Sequence, residues 1–210
     1  MTNSRKLLIA VDGSPRSLEA VSYVALKLPP TDFRVNLMYV MPAAPEGLGD
    51  LEKEGFFKRT MRAKHTVWEK TEKEAAQVFL HEARSLLLKA NVKENDVNLI
   101  LQKRQVGIAR DIIAEGSRGY EAVVVGRKGL SRLKDIFLGS VSYKIVQGSK
   151  DVPVWVVGGD IRSKKMLLAV DGSENSRKAV DYAANFAAAN EAGVRLFLSL
   201  IHISEPTRLV

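Results

Sequence analysis

Leu7–Val11 is an unbroken apolar run rich in branched side chains. That is the pattern of a strand buried on both faces, as in a parallel sheet. Asp12, Gly13, Ser14 and Pro15 end it; Ser14 suits a helix N-cap and Pro15 the first helical position. A helix is predicted to about Lys27, with Ala20, Val21, Val24, Ala25 and Leu28 on one face, stopped by Pro29 and Pro30. Val35–Val40 reads as a second strand and Pro42–Asp50 as a loop. From about Arg59 to Ala90 the period lengthens: Trp68, Ala75, Phe79, Ala83, Leu86, Leu87 and Ala90 recur at three- and four-residue spacing among charges, as in a long amphipathic helix. A third strand (Val97–Gln102), a short helix (Ile108–Glu115), a fourth strand (Ala122–Val125), a helix from about Val141 to Gln147 and a fifth strand (Pro153–Val157) complete the pattern.

Strands alternating with helices predict an α/β fold, a parallel sheet with helices on both faces. Such sheets bind ligands beyond the carboxyl ends of their strands, where the strand order reverses. The loops that begin at Asp12, Val40 and Gly126 are therefore the ones to search.

The chain then starts again. Residues 6–25 match residues 165–184 at a constant offset of 159, with identity at 12 of 20 positions, and the offset also pairs Val35 with Val194 and Leu37 with Leu196. Self-similarity over a strand, a turn and a helix marks a duplicated domain. A length of 210 residues holds one domain ending near residue 160 and only the opening of a copy. The expected organisation is a complete domain over 1–160, a truncated second copy over 161–197, and a tail over 198–210 that matches nothing in the first copy.

One motif carries chemistry. Gly126, Gly129, Gly139 and Ser140 form the skeleton G-x2-G-x9-G-S after a buried strand and before a helix. Glycines allow close backbone approach and positive φ. Free amides at the start of the helix, with the hydroxyls of Ser140 and Ser142, suit an anion. Arg127, Lys128, Arg132 and Lys134 add positive charge. No GK[ST] follows, so this is not a P-loop.

Here the sequence resembles the universal stress protein family, from Lys6 to Gly158. The resemblance rests on the VDGS turn at Val11–Ser14, the glycine motif from Gly126 to Ser140 and the closing PVWVV strand. It implies a Rossmann-like five-stranded parallel sheet of order 3-2-1-4-5, and ATP, alone or with Mg²⁺, as the ligand. By position it implies contact of Asp12 with the ribose or adenine side and of the Val40 backbone with adenine. Gly126, Gly129, Gly139, Ser140, Val141 and Ser142 would line phosphates and ribose. Arg127 stands where the family often has Ser or Thr. The resemblance further implies a homodimer, or a pseudo-dimer within one chain, through Pro153–Val157.

Plainer readings stand beside these. Asp12 fits a turn residue before a capped helix, although its motif context favours ligand contact. Its repeat partner Asp171 is expected to be structural. His65 and His81 are expected to be solvated, and Trp68 and Phe79 to belong to the core. Gly116–Gly119 reads as a plain turn.

Composition removes other classes. Zero cysteines exclude a disulfide scaffold and a thiolate metal site, and three dispersed histidines give no zinc cluster. No apolar run approaches the ~20 residues of a membrane span, and the polar start shows no signal peptide, so a cytoplasmic location is expected. The net charge of +8 allows nucleic acid as partner. Without a long basic tract or an aromatic RNA-binding motif, it points instead to the phosphate loop. The functional expectation is an ATP-binding regulatory protein. The alternatives are a slow Mg²⁺-dependent ATPase, for which no catalytic residue is assigned, and a nucleotide-independent dimerising module.

The end of the chain reads differently. Leu198–Arg208 spells LSLIHISEPTR, which is similar to the frame translation of a transposase-type sequencing-library adapter. Genuine coding sequence is then expected to end near Phe197, and His202, Glu205 and Arg208 carry no functional weight.

Overall fold

The structure, a computed structural model, describes residues 5–28, 33–44, 56–127, 138–159 and 162–198. The chain divides into two compact units, 1–161 and 162–210.

In the first unit five strands form one parallel sheet: β1 (Arg5–Val11), β2 (Phe33–Met41), β3 (Val97–Lys103), β4 (Ala122–Gly126) and β5 (Val154–Val157). Their order is β3-β2-β1-β4-β5, as expected. The helices are α1 (Pro15–Lys27), α2 (Phe56–Lys89), α3 (Ile108–Gly116) and α4 (Ser140–Gly148). A single 3-10 turn, Glu94–Asp96, leads into β3.

Successive strand side chains point to opposite faces, so β1 feeds two cores. Leu7, Ile9 and Val11 pack under α1 and α2 against Val21, Val24, Leu80 and Leu87. Leu8 and Ala10 pack under α3 and α4 against Ile112 and Ile145. Each fully buried Leu, Ile or Val contributes about 1.5–3 kcal/mol. A run apolar at every position is thus what a central strand covered on both faces requires.

On α2 the buried stripe is Ala76, Leu80, Ala83 and Leu87, with Phe79 and Leu86 flanking it. Ala75 is exposed and Ala76 takes its place in the stripe, while Ala83 and Leu87 are buried as expected. Trp68 is only half-buried, its ring beside that of His65, which is half-buried too; His81 is exposed.

The β1–α1 turn forms as its residues dictate. Gly13 takes φ +81°, a conformation that favours glycine. Ser14 caps α1 by accepting from the Ser17 amide, and Pro15 begins the helix.

The second unit holds β6 (Lys165–Val170), α5 (Glu174–Ala189) and β7 (Gly193–Leu198), with β6 and β7 parallel. It repeats the first in detail. Lys165 pairs with Gly193 as Lys6 pairs with Arg34, at the same offset. Gly172 takes φ +77°, and Ser173 caps α5. Asp171 accepts from the Ser173 amide; this and the Ser173 hydroxyl hold its carboxyl at about 2. β7 is exposed along its whole length.

Candidate functional site

The site lies where the strand order reverses. β1 leads through α1 to β2 on one side, and β3 leads through α3 to β4 on the other. A cavity of about 380 Å³ opens beyond the carboxyl ends of β1, β2 and β4, within the range of small-molecule sites. Ala10, Val125, Val40, Ile108, Ile112 and Ile145 supply apolar walls. Asp12, Ser17, Tyr39, Glu72, Gly126 and residues 139–142 supply the polar ones.

Strand lengths give the Val40 backbone its position. The β1–β2 pairing ends at Val11 and Tyr39, whereas the β2–β3 pairing continues to Met41 and Lys103. Val40 therefore has a register partner on β3 but none on β1, and it lines the cavity.

Asp12 is partly committed to the turn. Its Oδ1 accepts from the Ser14 amide at 3.1 Å and from the Ser14 hydroxyl at 2.6 Å. Its own amide donates to Ser17 Oγ at 3.4 Å.

Opposite stands the N-terminus of α4. Gly139 is the N-cap, with φ −61° and no side-chain cap bond. The amides of the first helical turn lack intrahelical acceptors and carry the positive end of the helix dipole. Ser142 is buried, and its hydroxyl donates to the Gly126 carbonyl at 2.7 Å, tying α4 to the end of β4. The Gly139 amide donates to the Arg127 carbonyl at 2.8 Å, closing the loop between them.

The glycines do not act as expected in one respect: neither Gly126 nor Gly139 takes positive φ. Gly126 is needed for close approach, because a Cβ there would sit 2.9 Å from the Arg16 carbonyl at the start of α1.

A family model described as the universal stress protein family matches residues 3–158 and 162–207. The chain belongs to this family. A universal stress protein of Mycolicibacterium smegmatis is 29% identical over 202 residues, covering 90% of this chain and 61% of that protein. The chain thus spans about three-fifths of that curated relative. A universal stress protein of Archaeoglobus fulgidus has a TM-score of 0.67 at 20% identity, covering 93% of this chain and 67% of its own. One from Lactobacillus plantarum, at 0.52 and 12%, covers 74% and 98%. At these identities the structures establish the shared fold.

Of the residues that sequence singled out, Asp12, Val40, Gly126, Gly139, Ser140, Val141 and Ser142 meet around the one cavity. Arg127 does not line it; its stem lies against Gly158 beside the β5 end. Gly129, with Lys128, Arg132 and Lys134, falls outside the described residues.

Among the wall residues that had escaped notice are Tyr39 and Glu72, which bond to each other. The Tyr39 hydroxyl donates to Glu72 Oε1 at 2.9 Å. Burial, this bond and the nearby Glu72 and Asp12 charges push the phenol well above its usual range. The sole sequence signal was the position of Tyr39 beside Val40 at a strand end. Glu72, from mid-α2, gave none.

The β3–α3 loop is also built with care. Asp111 is buried, and its carboxylate accepts from the amides of Gln105, Val106 and Gly107. Burial opposes its charge, but the three amides and Arg104 outweigh that and hold the carboxyl below its ordinary range. This clamp sets the start of α3 and hence the wall residues Ile108 and Ile112. Among the described residues no helix is long and apolar enough to cross a membrane. Among them, too, no group of three or more His, Asp or Glu could hold a metal ion.

Proposed function

We propose that the first unit binds ATP in this cavity and that the chain is a regulatory member of its family. The observation that carries the reading is the polarity of the cavity. The N-terminus of α4, with Gly139, Ser140, Val141 and Ser142, opens onto the cavity, and apolar side chains from the α3–α4 face of the sheet line it. Helix amides at a strand-end cleft bind phosphate. An apolar slot beside Val40, which has no register partner on β1, binds a flat base that can bond to backbone.

In this reading the α4 amides, Ser140, Gly126 and Gly129 hold the phosphates. The Val40 backbone reads adenine, and the uncommitted oxygen of Asp12 faces the ribose. Ser142 acts through the Gly126 carbonyl, and Arg127 sits too far aside for a first contact. Mg²⁺ would arrive on the nucleotide's own phosphates, since Mg²⁺ needs few protein ligands there.

Three further proposals go with it. β5 ends the sheet and Val156 is 37% exposed, so a second copy, or a complete second unit, pairs along Val154–Val157. Residues 1–160 form one family domain and 161–197 begin another, as the repeated register supports. With no cysteine in the chain and no membrane-spanning helix among the described residues, we assign the protein to the cytoplasm.

Calorimetry of the full chain with ATP tests the reading. Saturable heat is expected from the native sequence and none from a Gly129→Ala, Gly139→Val double variant that keeps its circular dichroism. Absence of heat from the native chain refutes it. Multiple-turnover phosphate release that is lost in the double variant would make the protein an ATPase instead.

A further inference from the structure

We infer that Glu72, held by Tyr39, is the specificity-determining acceptor of the cavity, taking a hydrogen bond from a donor on the nucleoside end of the ligand. The inference rests on the nucleotide reading above. Tyr39 points to the α2 side of the sheet, and its ring stands beside the turn at Gly13, where a Cβ would lie 3.8 Å from it. Its hydroxyl fixes Glu72 Oε1 in the wall. A carboxylate accepts at about four lone-pair positions, and this bond uses one. Asp12 stands in the same wall, with Oδ1 already given to Ser14. Among the described residues neither carboxylate forms an ion pair.

The cavity is therefore bipolar, with acceptors at Asp12 and Glu72 and amide donors at the α4 N-terminus. Like-charge repulsion drives phosphates away from the carboxylates and toward α4. The group that reaches Glu72 must then come from the nucleoside and must donate. Two kinds of such donor exist, the 2′ and 3′ hydroxyls of ribose and the exocyclic amine of adenine. A ligand that lacks the donor leaves a desolvated carboxylate oxygen unpaired, which costs binding.

The test measures dissociation constants of the full chain for ATP, 2′,3′-dideoxy-ATP and inosine triphosphate, whose base carries a carbonyl in place of the amine. At least one analogue is expected to bind about ten- to a hundredfold more weakly than ATP. Glu72→Gln keeps the volume and still accepts from Tyr39, so the variant should fold and melt like the native chain. It is expected to narrow that discrimination about tenfold. Narrowing for the inosine compound identifies the amine as the donor; narrowing for the dideoxy compound identifies the ribose. Tyr39→Phe frees Glu72 and should narrow the same ratio in part. A merely structural Glu72 would weaken all three nucleotides alike. Unchanged ratios for both analogues in Glu72→Gln overturn the inference while leaving ATP binding intact. Failure of all three nucleotides to bind the native chain removes the nucleotide reading, and this inference with it.

Discussion

Replacing Asp111 by Asn should destabilise the first unit by an amount that depends on pH. The native carboxylate accepts at 2.8 Å from Gln105 through Oδ2, and at 3.1 and 3.4 Å from Val106 and Gly107 through Oδ1. Asn keeps an oxygen for the second pair but turns an NH2 group toward the Gln105 amide. One charge-assisted bond is lost, worth about 1.5–3 kcal/mol, and the others weaken because the acceptor is neutral. A total of roughly 2–4 kcal/mol follows, or a melting temperature lower by about 5–15 °C for a unit of this size. The folded carboxyl titrates below its ordinary value. Its stabilisation is therefore fully present above the unfolded pKa of about 3.9 and is lost as pH falls through the folded value. The gap between native and variant should be constant from about pH 7 to 5 and should close below about pH 4. Urea melts at several pH values, followed by tryptophan fluorescence, measure it. Both tryptophans, Trp68 and Trp155, lie in the first unit, so the signal reports that unit alone. A gap that is absent at pH 7, or that persists unchanged at pH 3, refutes the account of this loop.

Val156→Lys should turn any dimer into a monomer with little change in melting, because it puts charge on the outer strand at a side chain already 37% exposed; light scattering reads the mass, and an unaltered dimer excludes β5 as the interface. The nucleotides that encode residues 198–208 should match the adapter codons; several synonymous differences there would establish a natural tail.

Much of the first unit was legible in its sequence. β1 and β4 were visible because a strand covered on both faces must be apolar at every position, and Leu7–Val11 and Ala122–Val125 are. The β1–α1 turn was visible because Gly13, Ser14 and Pro15 in that order favour a positive-φ turn, an N-cap and a first helical residue. The stripe on α2 was harder. Phe79 and Leu80 are both apolar and adjacent, and which one turns inward is settled by the sheet beneath, which takes Leu80. Gly126 was noticed for its spacing, but its need for a bare Cα comes from the Arg16 carbonyl, some 110 residues earlier in the chain.

The sequence alone determined the alternation of strands and helices, the duplicated β-α-β opening and the location of the glycine motif at the end of a buried strand. These depend on local pattern, and local pattern survives without a fold. Only the tertiary structure decided that β2 outruns β1 and so leaves Val40 without a register partner there, that Arg127 turns aside toward Gly158, and that Glu72 reaches Tyr39 from the middle of a long helix. Each of these depends on register and packing between segments far apart in the chain, and no local preference of the residues involved encodes them.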